Sequence, residues 1–455
     1  MTSGAALAVT LFTATIAPAG ATVTKTLIST DITTVVGAQH HTEVEPVTAT
    51  WGNTIVSTFQ EGRYASAASG AAAAGFATST DAGATWTSGL LPGITTNSPT
   101  PNIYPRTVNM EVAYDAAHAT WLITNHAEQW NGTAWFYAAL LVSHSSDGLT
   151  WSLPVDAAPG ANTATVRPDK GWIVCDNNAG SQHYGRCYIV YISQALNKRF
   201  QMVYSDDAGE TWSAPIGTAT KAVGYDPIPV VRPDGSVVVI ATQAGLTKIV
   251  AFQSTDGGAS WTDPIAIATL QLHTLAANLR TRSKPAPAVD AAGRVYVTWY
   301  DCRFRTACTN NDIVLSTSDD GITWTAPSRV NVDATTSTVE HFVAGIGVAP
   351  GTSGVSAQLN LVFYEMANAA CTSATCLIYA VTTSSTDGGV TWAAVTKLHT
   401  TAMKPYMLAS STLGLMLADY HTVGYVNNVP WAAVVIAGAK VGTTYNENIY
   451  GARLA

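Results

Sequence analysis

The chain has 455 residues and a formal net charge of −8, and only 11% of its residues are Asp, Glu, Lys or Arg. A negative chain with so few cations gives no support to binding of nucleic acid or of an anionic membrane surface. Helical segments with charged faces are nearly absent, and Gly, Ala, Ser, Thr and Trp are abundant, which is typical of an all-β extracellular protein.

The first residues predict export. An apolar stretch runs from Ala5 to Ile16, and Ala19-Gly20-Ala21 fits a cleavage site, so residues 1–21 are predicted to be a signal peptide. The stretch is too short to span a membrane. Residues 22–455 are then expected to form a single domain of a secreted, monomeric protein.

A motif of the form Ser-x-Asp-x-Gly-x-Thr-Trp recurs six times, at intervals of about sixty residues. Four clear copies begin at Ser79, Ser205, Ser254 and Ser385; a shortened copy begins at Ser145, and a copy without the first Ser begins at Thr317. Each copy predicts a tight turn, in which Asp or Ser caps backbone N–H groups, Gly supplies a positive φ and Trp anchors the turn. Such a periodic motif marks a fold of repeated units that bury their apolar faces against neighbours. Six equivalent Asp residues are therefore expected to be structural.

This repeat resembles the Asp-box (BNR) repeat of the sialidase-like β-propellers, and the resemblance extends over nearly the whole chain. It implies an all-β propeller whose boxes lie on the outer rim, away from the active site. Seven strand starts predict seven blades, at Glu43, Asn109, Lys170, Asp226, Lys284, His341 and Leu415. Six blades, as in typical sialidases, is the alternative. The segment from Thr22 to Ile32 has β character and no box, and we expect it to pair into the last blade and close the ring.

The six cysteines fall into three close pairs, Cys175/Cys187, Cys302/Cys308 and Cys371/Cys376. An even count with short spacing predicts three loop-closing disulfides and an oxidising compartment. Zinc is the alternative for these cysteines, and the lack of any Cys-x-x-Cys pair counts against it. No cofactor is expected, although calcium in an acidic loop stays open.

Ionisable and aromatic side chains cluster at the starts of the predicted inner strands. In chain order they are His40, His41 and Glu43; Arg106 and Glu111; Arg167, Asp169 and Lys170; Tyr225 and Asp226; Arg282 and Lys284; Glu340 and His341; Asp419 and Tyr420. In a propeller the loops that enter the inner strands form one mouth, so these groups are expected to converge. Such convergence is costly unless the groups pair or bind a ligand. Ion pairs between blades explain any one of them, whereas the whole set predicts a binding site for a glycan that bears a carboxylate.

Two reactions are compatible with this set. The resemblance to sialidases implies hydrolysis, in which three Arg grip the sugar carboxylate, an Asp transfers protons and a Tyr assisted by Glu is the nucleophile. The candidates are Arg106, Arg167 and Arg282 for the grip, Asp226 or Asp169 for the acid, and Tyr420 or Tyr225 for the nucleophile. The chain departs from that family in three respects. The Arg-Ile-Pro near the start is absent, the usual Asp-x-Arg appears only as Asp301-Cys302-Arg303 in the fifth blade, and the count of seven blades differs from six.

The alternative reaction is elimination at a uronate, in which a cation neutralises the carboxylate and a His or Tyr removes the C5 proton. His40 and His41 are the candidate bases, and a loop imidazole bonded to a nearby carboxylate explains the pair equally well. A third hypothesis is a propeller that binds a glycan or a protein without catalysis, since one fold serves many roles. Three Arg around one carboxylate would favour hydrolysis, and a His opposite a Tyr or Arg would favour elimination.

Overall fold

The computed structural model describes residues 23–66, 70–158 and 167–454, so the predicted signal peptide lies outside the described residues. Within those ranges, helical structure is confined to four 3-10 turns, at Gln194–Leu196, Thr306–Cys308, Gly354–Ser356 and Pro405–Met407. No helix in that part of the chain is long and apolar enough to cross a membrane. The chain is therefore all-β, as predicted.

Successive strands pair antiparallel and form repeated units of up to four strands. The first three units are β2 (Gln39–Trp51), β3 (Thr54–Arg63), β4 (Ala71–Ser79) and β5 (Thr87–Leu90); β6 (Arg106–Asp115), β7 (Thr120–Trp130), β8 (Trp135–Ser145) and β9 (Val155–Asp156); and β10 (Pro168–Cys175), β11 (Cys187–Ser193) and β12 (Arg199–Ser205). The next three are β13 (Gly224–Val231), β14 (Val237–Gln243), β15 (Lys248–Ser254) and β16 (Ile265–Thr269); β17 (Ala286–Val289), β18 (Val295–Asp301), β19 (Asp312–Ser318) and β20 (Ser328–Arg329); and β21 (Glu340–Val348), β22 (Leu359–Met366), β23 (Ile378–Ser385) and β24 (Thr396–Lys397).

The last strands join the two ends of the described chain. A hairpin of β25 (Ala409–Ser411) and β26 (Gly414–Met416) precedes β27 (Gly424–Val426), β28 (Val429–Ala437) and β29 (Glu447–Arg453). The N-terminal strand β1 (Thr24–Ser29) pairs antiparallel with β29, with Thr24 opposite Arg453. On its other side, β29 meets β2 through one parallel bridge between Thr42 and Glu447.

The core lies between neighbouring units, and β14 shows why. Its apolar run Val237–Ala241 sends alternate side chains to opposite faces. Val237 and Val239 pack in a cluster with β11 and β12, whereas Val238 and Ile240 pack with β18. A strand that is buried on both faces needs a continuous apolar run rather than an alternating one. Each sheet therefore packs face to face against the sheets before and after it.

The Asp-box turns have the capping geometry that the sequence predicts. In one clear copy, Ser205 Oγ accepts a hydrogen bond from Gly209 N at 2.8 Å and Asp207 Oδ1 accepts one from Thr211 N at 2.9 Å. Trp212 Nε1 donates to the Gly209 carbonyl at 2.8 Å. These bonds stay within the turn, which confirms a structural role for the box.

One box begins a residue later than predicted. Ser318 Oγ, rather than the Thr317 hydroxyl, accepts from Gly321 N at 2.8 Å, and Asp320 Oδ1 accepts from Thr323 N at 2.6 Å. The predicted frame from Thr317 is therefore wrong, and this copy is a shortened box like the one at Ser145. Compared with the clear copies, both shortened copies have one residue fewer between Asp and Thr and one residue fewer between Ser and Gly.

The cysteines are bonded as the sequence predicts, in the pairs Cys175–Cys187, Cys302–Cys308 and Cys371–Cys376. The first joins paired positions of β10 and β11, and the other two join cysteines with sequence separations of 6 and 5. Three disulfides are consistent with a secreted protein.

Candidate functional site

A repeated backbone irregularity positions the site. Five inner strands have a register shift near their start, in β2, β6, β10, β13 and β21. At each shift one residue that is not Gly has a positive φ: Glu45 (54°), Asn109 (50°), Lys170 (54°), Asp226 (51°) and Val343 (52°). A bulge of this kind redirects a side chain, and non-Gly residues in this region are strained by about 1–3 kcal/mol each. Four of the five residues are polar.

The redirected side chains meet in one ion-pair network. Lys284 Nζ lies 2.9 Å from Asp419 Oδ2 and 3.3 Å from Asp226 Oδ1, and Lys170 Nζ lies 3.4 Å from the same Asp419 oxygen. Lys170 Nζ also donates to Asn109 Oδ1 at 3.4 Å. Side chains from the second, third, fourth and fifth units and from the segment before β27 therefore converge at one point.

The carboxylates of this network are held ionised by the surrounding cations. Burial raises the pKa of Asp419, but Arg280, Lys284 and Lys170 lower it more, to well below its ordinary value. Burial likewise raises the pKa of Asp226, and Lys284, Lys170 and Arg282 bring it below the ordinary value. Because a group held ionised is a poor proton donor, both residues fit the role of partners for Lys284. An acid role for Asp226 stays a prediction.

A cavity of about 180 Å³ opens beside the network and contains three arginines. Its lining comprises Glu45, Gln60, Arg63, Val108, Asn109, Tyr137, Asp169, Lys170, Gln194, Tyr225, Arg280, Arg282 and Leu413. Arg280 lies 3.5 Å from Asp419 and 3.9 Å from Glu45. The Arg282 guanidinium lies 5.3 Å from the centre of the Tyr225 ring and makes no hydrogen bond to any described residue. Its donors are therefore open to a ligand in the cavity.

Tyr420 lies behind the cavity with two carboxyl groups. Its hydroxyl donates to Glu45 Oε2 at 3.4 Å, its ring packs edge-on to Trp172 at 5.2 Å, and it also contacts Glu111. Burial, together with Glu45 and Glu111, raises the pKa of Tyr420 well above its ordinary value. Burial and then Asp419 raise the pKa of Glu45, which makes that carboxyl a stronger base toward the phenol.

The charge balance of the site favours an anionic ligand. Five cations (Arg63, Lys170, Arg280, Arg282 and Lys284) face five carboxyl groups (Glu45, Glu111, Asp169, Asp226 and Asp419). Burial raises the pKa of Glu111 well above the ordinary value, so Glu111 is the carboxyl that most readily holds a proton. The site is thereby left with an excess of positive charge in a chain of net charge −8.

His126 supports the site rather than reacting in it. Its Nε2 accepts from Gly171 N at 3.2 Å, and Nδ1 lies 3.4 Å from the Asn109 carbonyl. Complete burial lowers its pKa to about 4, so the ring is neutral and both of its nitrogens are occupied. His126 therefore fixes the bulges that carry Asn109 and Lys170.

Comparison with known proteins supports the repeat and the fold. The BNR/Asp-box repeat family matches residues 203–214. Among solved structures, an ulvan lyase of polysaccharide lyase family 25 is similar over 95% of this chain and 96% of that chain, with 11% identity and a TM-score of 0.52. The Hadza microbial sialidase Hz136 is similar over 81% and 73%, with 14% identity and a TM-score of 0.48.

The chain contains the BNR/Asp-box repeat. The α-L-arabinofuranosidase Arb93A from Fusarium graminearum is also similar, over 77% of this chain and 95% of that chain, with 14% identity and a TM-score of 0.47. No curated protein matches the sequence. Likeness at such low identity concerns the fold, so the activity of this Asp-box protein has to be argued from its site.

Nine of the residues predicted from sequence lie together at this site. They are Glu111, Asp169, Lys170, Tyr225, Asp226, Arg282, Lys284, Asp419 and Tyr420. Seven of them lie at the start of a predicted inner strand, whereas Asp419 and Tyr420 lie between β26 and β27 and not on the strand predicted from Leu415. The structure therefore places these nine residues together, and the role of each one stays a prediction.

The two predicted catalytic histidines of the Asp-box protein lie outside the cavity. His40 is half-buried, with Nδ1 at 3.0 Å from the Thr33 carbonyl, and His41 is exposed. Glu43 is buried in the same strand, but its Oε2 accepts from Ile449 N at 3.0 Å, across to β29. These three residues tie the start of β2 to the two chain ends.

The remaining four predicted residues also lie elsewhere. Arg106 and Arg167 lie at strand starts against aromatic rings, with Arg106 3.7 Å from the centre of the Trp135 ring and Arg167 5.2 Å from that of Phe136. Glu340 binds His273 Nδ1 at 2.7 Å. His341 Nδ1 lies 3.8 Å from Asp312.

His341 belongs to the one group of described side chains that has the spacing of metal ligands, together with Asp312 and Asp333. Two guanidiniums already occupy these carboxylates. Arg305 lies 2.5 Å from Asp312 and 3.0 Å from Asp333, and Arg329 pairs with both carboxylates as well. Two cations balance two anions there, so a divalent ion would have to displace an arginine.

Arg63 and Arg280 both line the cavity, and neither is among the residues predicted from sequence. A signal was present for Arg280, since Arg280-Thr-Arg282-Ser-Lys284 places cations at every second position. In extended chain such residues lie on one face. Arg63 lies at the end of the second strand of its unit. The prediction considered polar residues only at the starts of inner strands, so it gave no indication of Arg63.

Proposed function

We propose that this protein hydrolyses the glycosidic bond of a sugar that carries a carboxylate. The observation that carries the proposal is the cavity lined by Arg63, Arg280 and Arg282, beside the Tyr420–Glu45 pair. A guanidinium is suited to bidentate recognition of a carboxylate. The presence of three of them on one cavity supports hydrolysis over elimination.

The proposed reaction uses Glu45 and Asp169, which line the cavity, and Tyr420, which lies behind it. Tyr420 Oη attacks the anomeric carbon while its proton passes to Glu45, and the bond to the leaving oxygen breaks as that oxygen takes a proton from Asp169. Water then attacks the same carbon, returns a proton to Asp169, and Tyr420 recovers its own proton from Glu45. A tyrosine nucleophile is a known exception to the two-carboxylate scheme.

The size of the cavity suits action on one sugar unit. Its volume of about 180 Å³ is smaller than that of pockets for drug-sized ligands, which begin at about 300 Å³. We therefore propose release of a terminal acidic sugar rather than cutting within a long chain.

Elimination at a uronate is the second candidate function. The observation that favours it is the presence of two tyrosines, Tyr137 and Tyr225, on the same cavity as the arginines, since a phenol can remove the C5 proton. No histidine lies among the described residues that line the cavity. A His-based elimination therefore has less structural support than one that uses Tyr.

We also propose the architecture and location that the function requires. Seven units, with β1 completing the last one, would form a seven-bladed propeller closed on itself. Supporting this, Ile28 of β1, Phe59 of β3 and Val434 of β28 belong to one core cluster. The three disulfides support a secreted, extracellular protein.

The proposal is tested with two sets of substrates, a panel of sialosides and a panel of uronate-containing oligosaccharides. Two products are followed, new reducing ends and the ultraviolet absorbance of an unsaturated uronate. The proposal predicts reducing ends without new absorbance on at least one substrate. Absorbance that rises with cleavage would replace it with elimination, and silence on both panels would contradict an enzymatic role on acidic glycans.

A further inference from the structure

One predicted residue, Arg106, belongs to a second feature beside the cavity. At this end of β7 and β8, Trp130 is 48% exposed and Trp135 is 38% exposed, with ring centroids 5.6 Å apart. Large exposed aromatic rings that adjoin one another are unusual on a soluble protein without a ligand or partner.

The position of Trp135 relates this pair to the cavity. Trp135 and Tyr137 are two residues apart on β8, so their side chains lie on the same face of the strand, about 7 Å apart along it. Tyr137 lines the cavity. The exposed rings therefore continue the cavity outward on the same face.

Arg106 gives the rings a charged centre. Its guanidinium carbon lies 3.7 Å from the centre of the Trp135 ring and 4.4 Å from that of Tyr64. The residue is 9% exposed, and its Nη1 has no hydrogen-bond partner among the described residues. Burial lowers the pKa of Arg106 and Glu128 partly restores it, so the cation is retained beside the rings. Stacking between two rings also holds Trp135 in one orientation.

We propose that Trp130, Trp135, Tyr64 and Arg106 form a platform that binds a second unit of an acidic glycan, next to the unit held in the cavity. An indole offers a flat apolar surface to the C–H face of a pyranose, and the positive charge of the buried guanidinium against the Trp135 ring favours a carboxylate on that sugar. The inference rests on the proposed function for the identity of the ligand as an acidic glycan.

A purely structural role for the pair has to be separated from binding. Trp130 and Trp135 are directly opposite in the β7–β8 register, and cross-strand aromatic pairs stabilise hairpins. Loss of stability alone would therefore say nothing about a ligand. The chain offers a matched control in Trp51, which is 43% exposed and stacks on Tyr114 at 5.0 Å. Trp51 lies at the far end of β2, away from Glu45 and the cavity.

The test is affinity electrophoresis of the whole protein through gels that contain hyaluronan, polysialic acid or polyglucuronate, with uncharged dextran for comparison. We expect retardation by at least one acidic polysaccharide. Trp135→Ala and Arg106→Gln should each weaken apparent affinity about tenfold, the equivalent of one good contact. Trp51→Ala should match the wild type. Melting temperatures of all variants are recorded beside the affinities.

The outcomes distinguish binding by the platform from catalysis in the cavity. Unchanged retardation in Trp135→Ala, an equal loss in Trp51→Ala, or no retardation of the wild type would overturn the platform. Tyr420→Phe should keep the retardation while losing turnover. Loss of affinity in the platform variants without turnover on any acidic glycan would leave the platform standing and remove the proposed reaction.

Discussion

At the scale of single residues, the site depends on side chains that the backbone redirects. Glu45, Lys170 and Asp226 have positive φ at equivalent bulges, and each turns an ionisable group toward a common centre. Such strain is tolerated where the surrounding strands fix the conformation. The network of Lys284 and Asp419 then compensates the burial of charge.

Tyr420 is the residue whose substitution tests the proposed chemistry. Tyr420→Phe removes the hydroxyl that donates to Glu45 and keeps the ring against Trp172. We expect turnover to fall at least about 100-fold, as for loss of a reacting group, with little change in melting temperature. Steady-state kinetics measure the effect. Tyr425→Phe is the matched control, since its hydroxyl donates to Asn360 at 3.0 Å away from the cavity, and it should retain activity.

Arg282 is the arginine most open to substrate, because it stacks on Tyr225 and binds no described acceptor. Arg282→Lys keeps the positive charge but cannot form the bidentate hydrogen bonds of a guanidinium with a carboxylate, so we expect kcat/KM to fall about 10- to 100-fold. The control is Arg294→Lys, at an outer turn where Arg294 pairs with exposed Asp319. Equal kinetics for Arg282→Lys and the wild type would show that Arg282 does not bind the substrate carboxylate through two hydrogen bonds.

At the scale of elements, the start of β2 holds the two chain ends together through carboxyl groups. Glu43 lies opposite Glu61 of β3, and both are buried near Asp31. Burial, with repulsion from Asp31, raises the pKa of Glu43 from 4.5 to about 8. The folded protein therefore keeps a proton on Glu43 that the unfolded chain releases.

This proton predicts how stability depends on pH. The pKa of Glu43 is higher in the folded protein than in the unfolded chain. The stabilisation that this protonated carboxyl contributes is therefore complete below about pH 4.5 and is lost progressively as the pH rises to about 8. Glu43→Gln mimics the protonated form, and its amide oxygen can still accept from Ile449 N. We expect the variant to match the wild type near pH 4.5 and to exceed its melting temperature near pH 8. Identical pH profiles for the two proteins would show that Glu43 is ionised when folded.

The elements also show how far sequence reasoning extends. The box turns, the disulfides and the inner strands follow from local chemistry that a sequence displays directly, such as the Ser–Gly bond of a box or the apolar run of β14. The direction in which a side chain points cannot be derived from the sequence so directly. His40 and His41 stand at a strand start like Asp226, yet His41 itself has a positive φ and lies exposed, so polarity at a strand start does not decide direction. Arg63 is absent from the predicted set because it reaches the cavity from the end of the second strand of its unit, whereas the prediction considered only strand starts.

At the scale of the whole molecule, β1 is the element that joins the first described residues to the last strand. Ile28 of β1 is 4% exposed in the core cluster of β3 and β28, whereas its neighbour Leu27 is 47% exposed. We expect Ile28→Ala to lower the free energy of unfolding by about 2–4 kcal/mol, as for other buried large-to-small changes. Leu27→Ala, the control on the same strand, should have little effect.

Calorimetry or denaturant unfolding measures this change. If β1 is integral, Ile28→Ala shifts the single global transition. A wild-type transition in Ile28→Ala would mean that β1 can detach without cost to the rest, which would contradict closure of the proposed propeller.

The most direct test of the central claim is the mass of the products formed in water enriched in oxygen-18, from whichever acidic glycan the protein cleaves. Hydrolysis adds a water across the broken bond, so we expect one oxygen-18 atom in the newly released acidic sugar, and at least about 100-fold slower formation of that product by Tyr420→Phe. Unlabelled products, one of them lighter by a water, would show elimination and contradict the hydrolytic role of Tyr420 and the three arginines.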